Sequence, residues 1–366
     1  MKILHVITSL YTGGAERLMV DLLPLLRDNG KNQVDLLVVN GVETPFKNQI
    51  TNQGIKVYHL SMTNDVYNPK NIVRMRRYLV EYDIIHTHNT ACQFFVPIAR
   101  LFSKGHPLLV TTEHNATNKR RKNFLLKPMD RWMYSRYSAI ICIADQTRHN
   151  LDKYIGKKQK IHTIYNGVNI DSFLKSVNDI SSKDSFVITM VSAFRPQKDH
   201  ETLMRAMAHL PNHYRLQFVG GGENVDKERL YSYCHELGLD RRVTFMGVRY
   251  DVPEILEKSD FIVLSSHWEG LSLSSIEGMA SGRPFIASDV DGLSEIVGGA
   301  GILFKHGDDV DLAQKILHLS ENPDEYSLVA KACQERARQY DIKRMAKSYL
   351  DLYQDVINKK DNRWSR

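Results

Sequence analysis

With 366 residues the chain exceeds what one hydrophobic core usually organises, so two domains of about 170 residues each are expected. Apolar residues at 42% and charged residues at 25% match an ordinary soluble globular protein, and no apolar run approaches the roughly 20 residues that would span a bilayer. Cys92, Cys142, Cys234 and Cys333 are scattered, which excludes a close metal or redox pairing and fits a reducing cytoplasm, while the net charge of +7 asks for a partner.

The opening MKILHVITSL has a lysine and a short apolar stretch, as a secretory signal would. It runs into Gly13-Gly14 and Glu16-Arg17 without a small-residue cleavage site, so it reads as a buried first strand, Ile3–Thr8. The turn Thr12-Gly13-Gly14-Ala15-Glu16-Arg17 follows and opens a helix with Leu18, Met19, Leu22, Leu23 and Leu26 on one side. Pro24 within it predicts a kink or an early stop. Glycine lets a phosphate or sugar approach backbone amides closely, although the turn does not complete G-x-G-x-x-G. Asp35 lies where a dehydrogenase would hold an adenosine ribose, and it reads as a strand residue of no catalytic role.

Short strands are expected at Gln33–Val39, Val57–Leu60, Ile84–His86, Leu108–Thr112, Ala139–Ala144 and Ile161–Ile164, with helices between them. That alternation implies βαβ units and a parallel sheet covered on both faces. His86 and His88 form a His-x-His element with no identifiable third metal ligand, so a structural or acceptor-side role is expected. Glu113, His114 and Asn115 end the Leu108 strand, where all three could face a ligand. Between 117 and 137, Lys119, Arg120, Arg121, Lys122, Lys127, Arg131 and Arg136 stand against Asp130, interleaved with Phe124, Leu125, Leu126, Trp132, Met133 and Tyr134. Two readings stay open: a solvated basic face, or a surface resting on anionic lipid, where each cation adds about 1 kcal/mol. No nucleic-acid motif accompanies the charge.

Around Asn166–Ser185 the pattern breaks into polar residues, which places a linker there and divides the chain into 1–168 and 169–341. A second series follows at Phe186–Val191, Leu216–Val219, Val243–Phe245, Phe261–Leu264, Pro284–Ala287 and Gly301–Phe304. The helical stretch Ile342–Ile357 is expected to cross back, with the rest of 342–366, and brace the first domain. Two open α/β domains in tandem predict a cleft at the carboxyl ends of their sheets.

The second half carries the most specific chemistry. His267-Trp268-Glu269-Gly270-Leu271-Ser272-Leu273-Ser274-Ser275-Ile276-Glu277 follows a strand and opens a short helix ending near Gly282. Its first amides and the helix dipole make an anion site, and the two glutamates suit sugar hydroxyls. Ordinary helix-start acids are the plainer reading. Arg195 and Lys198 sit three apart on a strand-to-helix loop, where both can reach one phosphate. Gly220-Gly221-Gly222-Glu223 is a tight turn, structural or beside a ligand. Asp289-Val290-Asp291 matches the metal-binding Asp-x-Asp string, but two cations already present make a metal unnecessary.

These motifs, in this order, resemble family 4 of the retaining glycosyltransferases. The resemblance implies the α/β GT-B fold, two Rossmann-like parallel-sheet domains facing a central cleft, and retention of anomeric configuration. It implies that Glu277 holds the ribose, that Glu269 contacts the donor sugar, and that the amides of Gly270, Leu271, Ser272, Leu273 and Ser274 bind sugar and distal phosphate. Arg195 and Lys198 match the family's phosphate clamp, Gly13 and Gly14 its loop facing diphosphate and acceptor, and Gly220 its donor-side turn. Arg249, in Met246–Arg249, lies where the family grips the base, and His114 where a histidine touches the sugar's 6-hydroxyl or the reacting centre. The expected enzyme is a metal-independent hexosyl- or N-acetylhexosaminyltransferase with no cofactor, using a nucleotide sugar, UDP-linked, as substrate. Its expected acceptor is a glycan or lipid-linked hydroxyl in capsule, exopolysaccharide or lipopolysaccharide synthesis. The expected location is cytoplasmic, with peripheral contact at the inner membrane face through 119–137. The alternatives are a nucleotide-sugar 2-epimerase, a phosphorylase, a noncatalytic nucleotide-sugar-binding protein and, on Asp35, a nicotinamide dehydrogenase.

Overall fold

The computed structural model describes residues 1–11, 13–114, 121, 123–156 and 160–364. Two compact units emerge: Met1–Gly167 with Ile342–Arg366, and Val168–Asp341. In the first, seven strands, β1 (Lys2–Ile7), β2 (Gln33–Asn40), β3 (Val57–Ser61), β4 (Ile84–His88), β5 (Leu108–Glu113), β6 (Ala139–Cys142) and β7 (Ile161–Thr163), form a sheet of order β3-β2-β1-β4-β5-β6-β7. In the second, six strands, β8 (Phe186–Val191), β9 (Tyr214–Val219), β10 (Val243–Gly247), β11 (Phe261–Leu264), β12 (Phe285–Ser288) and β13 (Ile302–Phe304), are ordered β10-β9-β8-β11-β12-β13. All pairings are parallel. The strand order reverses between β1 and β4 in one unit and between β8 and β11 in the other, the points where open α/β sheets take ligands.

Side chains alternate across each strand, so residues two apart share a face. On one face of the first sheet Ile3, Ile7, Ile84 and Val110 pack against Leu18, Leu22 and Leu26 of the helix Gly14–Leu26. The same layer takes Ile342, Met345, Ala346, Tyr349, Leu352, Tyr353 and Val356 from the helix Ile342–Trp364, whose spacing of three and four puts them on one stripe. Fully burying each large apolar side chain contributes about 1.5–3 kcal/mol, which anchors this helix on the first unit.

Three expectations change. The first helix continues past Pro24 to Leu26, because a proline in the last turn forfeits a single hydrogen bond close to where the helix ends anyway. β4 extends to His88, two residues beyond the expected end. The stretch expected as a linker is packed structure from Val168 onward: Val168, Ile170, Phe173 and Ile180 are buried. Arg283 helps hold it, its fully buried guanidinium donating to the carbonyls of Ser176 (2.7 Å), Ser259 (3.0 Å) and Ser281 (2.8 Å).

Candidate active site

In the second unit, two loops leave the carboxyl edges of β8 and β11 and are stitched together. The His267 amide donates to the Gln197 carbonyl (2.8 Å), Gln197 Nε2 to the Trp268 carbonyl (2.7 Å) and Ser265 Oγ to the Asp199 carbonyl (2.7 Å). Asp199 adopts a left-handed backbone (φ 49°), which a short polar side chain tolerates, and caps the helix His200–His209 by accepting from the Thr202 amide (3.2 Å). The turn brings Lys198 against Glu269 in a close, mostly buried ion pair, and Ser266 Oγ donates to the same carboxylate oxygen (2.7 Å). Arg195, three residues before Lys198, is exposed, with no side-chain partner among the described residues.

The helix after β11 runs Leu273–Ala280, with Ser272 at its N-cap, so Gly270 and Leu271 lie in the loop ahead of it and only Leu273 and Ser274 supply its first amides. None of the amides from Gly270 to Ser274 donates to a backbone acceptor among the described residues, which leaves a row of donors beside the Lys198–Glu269 pair. Glu277, half-buried, stands on the helix's second turn.

Gly292 supports this loop from below. It has φ 83°, and a β-carbon there would stand 2.3 Å from the Gly270 carbonyl oxygen and 2.6 Å from that of Glu269. The Asp289-Val290-Asp291 string is therefore the approach to a packing glycine. Asp289 accepts from Ser294 Oγ (2.6 Å), and neither aspartate joins a cluster of metal-ligating side chains among the described residues. Gly220 is equally constrained: its φ is 153°, and a β-carbon would lie 1.9 Å from the Ser192 carbonyl oxygen. Arg249 is exposed and forks onto its neighbour Asp251 (Nε–Oδ1 2.8 Å).

In the first unit, Gly13 caps the helix that Gly14 begins, and the Glu16 carboxylate folds back so that its Oε2 lies 2.3 Å from where a Gly13 β-carbon would be. Burial raises the Glu16 carboxyl above its usual range, opposed by its own amide. Thr12 lies outside the described residues.

His114 follows β5, and its Nε2 lies 2.9 Å from His88 Nδ1. His88 Nε2 in turn meets His5 Nδ1 at 2.9 Å. His5 was missed in the sequence, where a lone histidine in an apolar strand gives no signal beyond its parity with Ile3 and Ile7. It supplies the third member of a group His5, His86 and His88 whose ligand atoms lie within 4.8 Å of one another, so the His-x-His element does have a third candidate ligand. Yet both nitrogens of His86 are engaged, by Tyr353 and by Thr112 Oγ1 (2.7 Å), so a metal would cost hydrogen bonds already made. A second group, Asp199, His267 and His306, meets the same distance test, with His267 Nδ1 and His306 Nε2 2.7 Å apart. Burial holds His5 near pKa 3 and His114 near 4, and keeps His86 and His88 well below their ordinary value. Asn89, also unforeseen, closes β4 at φ 68° and accepts from the Thr8 amide (3.4 Å).

One further expectation is corrected, and the reading of Asp35 as a strand residue stands. Glu113 points to the opposite sheet face and is consumed by Arg121 (2.7 Å), Tyr134 OH (2.6 Å) and Gln93 (2.7 Å), so it is a buried anchor with no oxygen to spare for a ligand. Arg121 thereby leaves the basic surface. Asp35, at the amino end of β2, accepts from Tyr82 OH and Gln33 Nε2 (both 2.7 Å), far along the strand from the ligand edge a ribose would use. Asn115, Lys119, Arg120 and Lys122 lie outside the described residues.

Family models for "Glycosyltransferase Family 4" and "Glycosyl transferases group 1" match residues 12–172 and 185–322 respectively. A galactosyltransferase of Escherichia coli, UDP-Gal:alpha-D-GlcNAc-diphosphoundecaprenol alpha-1,3-galactosyltransferase, is 28% identical over 306 residues, covering 76% of this chain and 77% of its own. An N-acetylgalactosaminyltransferase of Campylobacter jejuni acting on a diphospho-undecaprenol-linked sugar is 23% identical, covering 94% of this chain and 97% of its own. HepE of Anabaena, solved with UDP and glucose, superposes with a TM-score of 0.85 at 23% identity, covering 97% of this chain and all of that one, and shares the two-Rossmann-domain GT-B fold. Two successive sheets with their switch points, the paired loops carrying Arg195, Lys198, Glu269 and Glu277, and these matches lead to one conclusion: the chain belongs to the group 1, family 4 glycosyltransferases.

Proposed function

We propose that this enzyme transfers a hexosyl or N-acetylhexosaminyl group from a UDP-sugar to a hydroxyl of a glycan or lipid-linked acceptor, with retention and without a metal. The observation that carries the reading is the Lys198–Glu269 pair set beside the free amides of Gly270–Ser274, with exposed Arg195 three residues away. In transfer, the bond from the sugar's anomeric carbon to the β-phosphate oxygen breaks and the acceptor oxygen bonds to that carbon on the same face. The acceptor's proton passes to a phosphate oxygen. Negative charge grows on the departing diphosphate, and cations and amides placed there lower the barrier. Lys198 and Arg195 serve as that clamp. Glu269, held by Lys198 and Ser266, orients sugar hydroxyls, and Glu277 takes the ribose. Gly13, Gly14 and His114 of the first unit serve the diphosphate, acceptor and sugar. Gly220 lets the backbone turn beside the nucleotide, and Arg249 approaches the base.

The named donor and carrier of the E. coli relative and the UDP bound to HepE support a UDP donor and a lipid-linked acceptor in cell-surface polysaccharide synthesis. No helix among the described residues is long and apolar enough to cross a membrane. Peripheral contact with anionic lipid is supported by Phe124, Leu125 and Met129, 77%, 70% and 44% exposed, beside exposed Arg131 and Arg136. Phe124→Ser with Leu125→Ser should release the protein from phosphatidylglycerol vesicles at low salt; equal binding by both forms rejects this contact. The function itself is tested by screening nucleotide sugars for thermal protection, where a ligand at 100 times its Kd adds about 2.7 kcal/mol. A UDP-sugar should raise Tm and then support transfer. No protection by any nucleotide sugar would sink the reading.

A further inference from the structure

The buried histidines of the first unit form an ordered line. From His114 it runs through His88 and His5 to Tyr353 OH (His5 Nε2 at 3.5 Å), on to His86 Nδ1, from His86 Nε2 to Thr112 Oγ1 (2.7 Å) and from Thr112 Oγ1 to Tyr349 OH (3.2 Å). The members sit on one face of β1, β4 and β5 and on one turn of the helix Ile342–Trp364. The rings of His86 and His88 stack 4.5 Å apart and those of His5 and His88 5.2 Å apart, which holds them in place.

A neutral imidazole has one donor and one acceptor nitrogen and a hydroxyl one proton to give, so the proton orders of the chain differ in how many buried protons they leave without an acceptor. If protons point from His114 inward, His114 Nε2–H donates to His88, and His86 Nε2–H donates to Thr112. Thr112 and Tyr349, both fully buried, then share one mutual hydrogen bond, and one of their two hydroxyl protons has no acceptor among the described residues. If protons point outward, Tyr349 donates to Thr112, Thr112 to His86, His86 Nδ1–H to Tyr353, Tyr353 to His5, His5 Nδ1–H to His88, and His88 Nδ1–H to His114 Nε2. Every hydroxyl and imidazole proton inside the chain is then used. An orphaned buried donor disfavours the inward order by about tenfold.

We propose that His88, backed by His5 and closed off by Tyr353, His86, Thr112 and Tyr349, is the positioning residue that fixes the tautomer of His114, so that His114 presents Nδ1–H outward as a hydrogen-bond donor to a ligand oxygen. The chain thereby specifies what His114 recognises: a sugar hydroxyl oxygen or phosphate oxygen acting as acceptor. The catalytic consequence rests on the proposed placement of His114 at the sugar; the tautomer does not. Burial of the imidazoles and phenols keeps the chain uncharged, which supports the neutral proton order.

The test uses the full-length protein with 15N-labelled histidine, His114 assigned by His114→Gln, and the variants Tyr349→Phe, Tyr353→Phe and His88→Gln. In the unsubstituted protein at pH 7 the His114 ring should show Nδ1 protonated and Nε2 bare. Tyr349→Phe leaves the Thr112 proton, and Tyr353→Phe leaves His5 Nε2–H, as the buried donor that the inward order would strand, so His114 should stay Nδ1-protonated in both, while Tyr353→Phe takes the acceptor from His86 Nδ1–H and should mix the His86 tautomers. His88→Gln, whose amide can accept from His114 Nε2 as well as donate to it, should mix the His114 tautomers and lower kcat about 3- to 10-fold, the range of one hydrogen bond's net worth. A His114 ring protonated at Nε2 in the unsubstituted protein, or one that stays Nδ1-protonated in His88→Gln, overturns the proposal, as does tautomer mixing with kcat unchanged while His114→Gln is inactive. Full activity in His114→Gln would instead reject the placement of His114 at the sugar, and the nitrogen shifts would still decide the chain.

Discussion

The two units meet their ligand edges with opposite chemistry. At β8 and β11, charge is concentrated: Lys198 and Glu269 pair in a mostly buried position and Arg195 stands exposed beside them. At β1, β4 and β5, four histidines and two tyrosines are packed so that charge is excluded, and their hydrogen bonds run from ring to ring. The difference teaches how one parallel-sheet scaffold serves two tasks. Loops stitched by backbone hydrogen bonds can hold a charged pair against its own desolvation, while a sheet face closed by a helix can only hold groups that stay neutral.

The sharpest way to break the comparison is at the charged pair. Lys198→Met should lower kcat by about 100- to 1000-fold, the cost of removing one contact to developing charge. It also strands Glu269, 7% exposed, with Ser266 as its one remaining partner among the described residues, so stability should fall by about 3 kcal/mol in denaturant titration. Adding Glu269→Gln should restore most of that stability and none of the activity. If the double variant turns over normally, the charged pair is structural.

Gly292→Ala should cost about 3 kcal/mol, because the left-handed φ and the 2.3 Å approach to the Gly270 carbonyl leave no room for a methyl. The same substitution at Gly13 should cost less than about 1 kcal/mol: its φ of −171° is extended backbone, and the group in the way is the movable end of Glu16. Thermal melts of the two variants separate a glycine required by packing from one that packing tolerates. A large loss in turnover for Gly13→Ala with an unchanged melt would then point to close ligand approach.

The comparison can also be sharpened with acid. A histidine whose folded pKa lies below its unfolded value stays neutral in the folded chain while the unfolded chain takes the proton. Stability is therefore complete above about pH 6.5 and falls as pH drops toward the folded values, by about 1.4 kcal/mol per pH step per group. The first unit has four such groups on one face, His5, His86, His88 and His114, whereas His200 is the clear case in the second. Between pH 6 and 4.5, amide exchange should rise first in β1, β4 and β5. Earlier exchange in β8 and β11 would contradict this. The smallest effect is expected at Arg249→Ala, an exposed side chain paired with its neighbour Asp251, with stability unchanged within about 0.5 kcal/mol.

The order of strands and helices was legible because buried strands and amphipathic helices leave different periods in the chain. The loops bearing Arg195, Lys198, Glu269 and Glu277 were legible as motifs, because each is contiguous and follows its own strand. Pairing across loops was not. That Lys198 would close on Glu269, that Glu113 would be claimed by Arg121 and Tyr134, and that Gly292 would sit under Glu269 are facts of distance between residues 8 to 71 apart or of strand parity that only a folded sheet resolves.

The amino-acid sequence by itself determined the local patterns: two series of parallel strands, the glycine turns, and the family to which these motifs belong. Tertiary structure alone decided the histidine chain. His5, His86, His88, Thr112, Tyr349 and Tyr353 are spread from one end of the chain to the other, and no local period links them. They meet because parallel register aligns β1, β4 and β5 and because the last helix docks its apolar stripe on that face, carrying two hydroxyls into the one place where the imidazoles need them.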